Sequence, residues 1–119
     1  MPTIIADFFK ATNDHSSDGF IATFASDAIV NDVMRTFAGK DAIKKWSDKE
    51  IIGDKITYEI SAVTKHYGDF IVTALTDGDY DKTKAPDPLY LDHFFTVKDG
   101  LIVTLIIVKN TALSFKPKK

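Results

Sequence analysis

The sequence predicts an α+β domain: three N-terminal helices packed on the concave face of a curved antiparallel or mixed β-sheet, shaped as a cone-like barrel. Three observations predict it. Apolar residues at helical spacing are confined to the first 51 residues. From residue 55 onward the chain runs strand after strand, with side chains alternating by two. Near the end "KDG" joins two such runs, as a hairpin turn does.

The elements follow in order. Residues 3–12 read as a helix, with Ile4, Phe8 and Thr12 on one stripe and Ile5 and Phe9 beside it. Pro2 suits the helix start. "NDHSSDG" is turn chemistry, and Phe20, Ile21 and Phe24 mark a short second helix. "DAIVNDV" reads as the first strand. "GKDAIKKWSDKEI" reads as the third helix, with Asp41 in its first turn favouring the helix dipole and Ala42, Ile43 and Trp46 on its apolar face. "KITYEISAVTKH" and "FIVTALTD" are strands separated by the turn "YGD". "KTKAPDP" is a loop whose two prolines stop pairing. "LYLDHFFTV" and "LIVTLIIVK" complete the sheet.

The chain has 119 residues, which predicts a single domain, 1–119, with 112–119 as a frayed basic tail. It has no cysteine, which excludes disulfides and thiolate metal sites and fits a cytoplasmic location. No apolar run approaches the ~18 residues of a membrane span, and no basic stretch opens a signal peptide. A net charge of −2 argues against a nucleic-acid partner. The three histidines lack metal-ligand spacing, and "DGDYD" lacks the closing glutamate of a calcium loop. No cofactor is implied.

Alternation assigns faces. Ala28, Val30 and Asp32 share one face of the first strand. On the late strand Tyr90, Asp92, Phe94 and Thr96 share one face, expected toward the cavity. His93 and Phe95 share the other, expected outside. Leu105 and Ile107 belong to an apolar face of the last strand. A sheet apolar on both sides predicts a covered outer face, and a homodimer is the economical cover.

Four stretches together resemble the nuclear-transport-factor-2-like superfamily, on the branch of SnoaL-like polyketide cyclases and ketosteroid isomerases. They are "DGFIATFASDAIVND", "FAGKDAIKKW", "TDGDYD" and "PLYLDHFFTVKDGLIVTLIIV". The resemblance implies a catalytic pair. Asp32 falls on the general base at the end of the first strand. Asp92 falls on the aspartic acid that donates a hydrogen bond from the late strand. The helix-borne tyrosine of the isomerases is matched by Phe8, which has no hydroxyl to donate. Tyr90 and Thr96 are the neighbouring hydroxyls.

The expected cavity walls are Phe8, Phe24, Val30, Trp46, Phe94, Leu105 and Ile107. Carboxylates in such walls suit proton transfer next to a carbonyl, on a small hydrophobic ligand. Two functions stay open: a cofactor-independent isomerase or cyclase, and a non-catalytic ligand-binding or dimerisation module.

Overall fold

The computed structural model describes residues 1–114. Helix α1 spans Thr3–Asn13 and α2 spans Ser17–Ile21. Ser16 caps α2 by accepting a bond from the Gly19 amide. Strand β1 runs Phe24–Asp32 and turns into β2, Arg35–Ala38. The turn residues Val33 and Met34 both have positive φ, 48° and 72°, which matches the twist of a two-residue hairpin. Helix α3, Lys40–Ser47, widens into a π-type turn over Asp48–Ile52. Then come β3 (Thr57–His66), β4 (Asp69–Asp77), β5 (Leu89–Lys98), β6 (Leu101–Lys109) and a helical turn α4 (Thr111–Ser114).

The six strands form one sheet in the order β2-β1-β6-β5-β4-β3. Only β1 and β6 pair in parallel. Register shifts interrupt β1–β6, β3–β4 and β5–β6. Such bulges bend and twist a sheet, and here they let it curl around the helices. The α+β architecture is therefore the one the sequence predicts. β2 is an addition that no alternation pattern announced. Phe24 opens β1 rather than closing the second helix.

The core lies between α1 to α3 and the concave face. Phe8 is its centre, with Phe20, Phe9 and Phe95 ring centroids at 4.9, 5.0 and 5.2 Å. Phe8, Phe24, Val30 and Leu105, expected as cavity walls, are fully buried and pack against one another. They fill the concave space instead of lining a void, because four phenylalanines converge on it.

The facing of β5 is the reverse of the expected one. His93 pairs in register with Ile107 on β6 and Val72 on β4, and all three are buried. Residues opposite one another across a ladder share a face. His93 and Phe95 therefore point into the core, and neither is available to a second chain. Asp92 pairs with Val108 and Thr73, and Phe94 with Ile106 and Ile71, on the outer face. Tyr90 and Thr96 go with them by alternation.

The chain after β6 is also tighter than expected. Ser114 is buried, donates to the Tyr90 carbonyl at 3.1 Å and accepts from the Tyr90 amide at 2.9 Å. Residues 112–114 are thus part of the fold, and the remaining basic tail, 115–119, lies outside the described residues.

Candidate functional site

Asp32 ends β1 on the inward face, two and four residues after the buried Val30 and Ala28. Its side chain is 18% exposed. Arg35 Nη2 donates to Oδ2 at 2.7 Å, and Trp46 Nε1 donates to the same oxygen at 3.1 Å. Oδ1 is left without a donor among the described residues.

The unannounced strand β2 builds this arrangement. It carries Arg35 and Phe37. Phe37 stacks on Trp46 at 5.6 Å, and the Arg35 guanidinium sits 5.6 Å from the Phe37 ring. Arg35 also forks onto Glu50 from the wide turn, at 2.6 and 2.9 Å. This fork raises the guanidinium pKa and holds the Glu50 carboxyl below its ordinary range. A bidentate arginine is geometrically fixed, so its contact to Asp32 is fixed too.

Tyr58 faces inward from β3, opposite Thr76 on β4. Asn13, the last residue of α1, clamps its backbone: the Asn13 amide donates to the Tyr58 carbonyl at 3.0 Å, and the Tyr58 N–H donates to Asn13 Oδ1 at 2.7 Å. Its hydroxyl has no hydrogen-bond partner among the described residues. Burial first, and then the charge of Asp32, pushes the phenol pKa up. It is therefore a neutral donor at any physiological pH.

Asp32 and Tyr58 line one cavity of about 160 Å³. Ile51, Ile56, Leu91 and Ile107 supply apolar wall, and Glu50, Asp54, Thr76, Tyr80 and Leu89 complete it. An engineered apolar cavity of about 150 Å³ holds a benzene ring. This cavity is thus sized for one ring, well short of the ~300 Å³ at which drug-sized pockets begin.

Of the expected site residues, Asp32 and Ile107 line the cavity and Trp46 orients Asp32. Asp92 does not join them. It lies on the outer face, accepting from Thr73 Oγ1 at 2.5 Å and from Asn110 Nδ2 at 3.2 and 3.3 Å. Its partners fasten β5 to β4 and to the residue after β6. Tyr90, Phe94 and Thr96 are likewise outside. Sequence reasoning missed Tyr58, Tyr80 and the Arg35–Glu50 pair. Tyr58 had a signal: in "KITYEI" it falls two residues after Ile56, on the same face.

His93 is the inward polar group of β5. It is fully buried among Phe8, Phe9, Tyr58 and Phe95, with the Tyr58 ring 4.7 Å away, edge-on. Nδ1 lies 3.3 Å from the Val72 carbonyl, which can only accept, so Nδ1 carries the proton. Nε2 is buried without a partner among the described residues. Desolvation pushes its pKa down to about 4.

Among the described residues no three His, Asp or Glu side chains group as a metal site, and no helix is long and apolar enough to cross a membrane.

The family model of the SnoaL-like domain matches residues 5–105. The chain belongs to the SnoaL-like domain family. Solved structures carry the same fold. A Sinorhizobium meliloti protein provisionally assigned as a polyketide cyclase is 29% identical over 91% of this chain and 95% of its own, with a TM-score of 0.80. A provisionally assigned ketosteroid isomerase from Kribbella flavida is 12% identical, covering 98% of this chain and 81% of its own, with a TM-score of 0.75. The Δ5-3-ketosteroid isomerase of a Mycobacterium species is 15% identical, covering 92% of each chain, with a TM-score of 0.72. The last two likenesses concern the SnoaL-like fold alone. No curated protein matches the chain.

Proposed function

We propose that this SnoaL-like domain is a cofactor-independent enzyme that moves a proton next to the carbonyl of a small, one-ring hydrophobic compound. The observation that carries the reading is that Asp32 and Tyr58 line one small cavity with Ile51, Ile56, Leu91 and Ile107. In this reading Asp32 Oδ1 takes a proton from the carbon beside the carbonyl. The electron pair of that C–H bond becomes the double bond of an enolate, and its charge moves to the carbonyl oxygen. The Tyr58 hydroxyl donates to that oxygen, as an oxyanion donor must. Where a C=C bond is conjugated with the enolate, returning the proton from Asp32 to the far carbon of that dienolate gives an isomer. Where the enolate carbon attacks a second carbonyl, that carbonyl's π bond breaks and the resulting alkoxide takes the proton from Asp32, which gives a ring. Tyr58 thereby supplies the donor that Phe8 does not.

The test is exchange of α-protons for deuterium in acetophenone or cyclohex-2-enone, followed by NMR. The wild-type chain accelerates it over buffer. Tyr58→Phe lowers the rate by about 10²–10³-fold with the shape of the cavity kept, since removal of one oxyanion donor costs that much elsewhere. Equal rates for wild type and buffer on every one-ring ketone would leave only the ligand-binding reading.

A homodimer through the outer sheet face belongs to the same proposal, with new residues in it. Ile29, Phe94 and Ile106 are 44%, 37% and 40% exposed on adjoining strands of that face. Large apolar side chains grouped in this way mark an interface. Sedimentation at micromolar concentration is expected to give about twice 13.2 kDa, and the double change Phe94→Glu with Ile106→Glu to give the single-chain mass. A wild-type monomer would refute it.

A further inference from the structure

Thr76, Tyr80 and Leu89 line the reaction cavity, and the same three residues line a second, larger volume of about 340 Å³ under the β4–β5 connection. The far side of this outer chamber is made by Lys82, Pro86, Asp87 and Pro88. The geometry orders the two volumes. Asp32 ends β1 and Thr76 lies on β4, three strands away in the sheet, and both line the smaller cavity. A ligand with its carbonyl oxygen at Tyr58 and its reacting carbon at Asp32 has only the shared residues Thr76, Tyr80 and Leu89 between its far end and the outer chamber.

Tyr80 is held as a partition. Its hydroxyl donates to the Thr76 carbonyl at 3.4 Å, and Lys82 Nζ covers the ring at 5.2 Å from its centroid. Asp77 in turn pairs with Lys82. The ring is thus fastened from the sheet on one side and from the loop on the other. Nothing else shared by the two volumes is a large aromatic ring.

We propose that Tyr80 determines ligand length: its ring divides one long binding site into a one-ring reaction cavity and a closed-off outer chamber. This rests on the cavity being the ligand site, as argued above. A smaller side chain at position 80 would join the volumes and admit a second ring beyond the first. Burying a ring stabilises by about 1.5–3 kcal/mol, which is about 10–100-fold in affinity.

Phenol and 4-phenylphenol are suitable probes, because each offers one hydroxyl to Asp32 and Tyr58 and they differ by one ring in line. Dissociation constants come from NMR titrations that follow the methyl groups of Leu91 and Ile107. The wild-type chain is expected to prefer phenol. Tyr80→Ala is expected to bind 4-phenylphenol at least about tenfold more tightly than wild type does and to reverse the wild type's preference for phenol. Adding Pro86→Trp, which fills the outer chamber, is expected to erase the gain and leave phenol unaffected. Tyr80→Phe keeps the ring and should behave as wild type.

Equal affinity of wild type and Tyr80→Ala for 4-phenylphenol would overturn the proposal, as would a gain that Pro86→Trp does not reverse. If phenol binds normally in those cases, only the role of Tyr80 falls. If phenol moves neither methyl in any variant, the cavity reading falls and this one with it.

Discussion

Asp32→Asn is expected to lower α-proton exchange in a one-ring ketone by about 10²–10⁴-fold, the usual contribution of a positioned general base. An amide has almost the shape of a carboxylate but does not take the proton. The surroundings should tolerate the change. The amide oxygen still accepts from Trp46 Nε1, and Arg35 keeps its fork on Glu50. The stability cost is therefore below about 2 kcal/mol, the scale of one charge-assisted hydrogen bond. Urea unfolding beside the exchange assay separates the two effects. A large loss of exchange with near-normal unfolding identifies Asp32 as the base. Near-normal exchange would remove it from the chemistry.

The largest pH effect is expected at His93. Its folded pKa is about 4, against an ordinary 6.5, so the folded state binds fewer protons than the unfolded chain. A histidine depressed in this way contributes its full stability above pH 6.5. That contribution falls away as the pH drops from 6.5 toward 4, by about 3 kcal/mol in all. The imidazole has nowhere to place a charge, because Phe8, Phe9, Tyr58 and Phe95 surround it and Asp92 faces the other way. His93→Leu keeps a similar volume and removes the titration. Unfolding free energies at pH 7 and pH 4 should therefore differ by about 3 kcal/mol more in the wild type than in His93→Leu. Identical pH dependence would show that the ring is hydrated or protonated inside the fold.

These residues also show what the sequence could and could not carry. Element order and the last hairpin were readable because they depend on local signals: helical spacing, alternation and the "KDG" turn. Strand β2 was not, because "RTFA" is four residues long and its worth lies in tertiary contacts with Trp46 and Asp32.

The facing of β5 was decided by partners distant in sequence. Phe94 and Phe95 are equally apolar, and Asp92 and His93 are equally out of place, so alternation alone does not choose between faces. Pairing with Ile107 and Val72 does, and it puts the neutral imidazole inside and the carboxylate outside. The inside position is the cheaper one for histidine, which can bury as a neutral ring.

Asp32 was readable from its strand end and from the family resemblance. Its partner was not, because Tyr58 enters from β3, and only the curled sheet brings β3 and β1 to one cavity. The size of that cavity was also out of reach. It depends on how completely Phe8, Phe20, Phe24 and Phe95 fill the rest of the cone.

The most direct test of the central claim is where phenol sits. With methyl-labelled protein, intermolecular NOEs from phenol to Ile51, Leu91 and Ile107 are expected, together with weakened binding in Tyr58→Phe. NOEs confined to the outer face, at Ile106 or Val108, would contradict it.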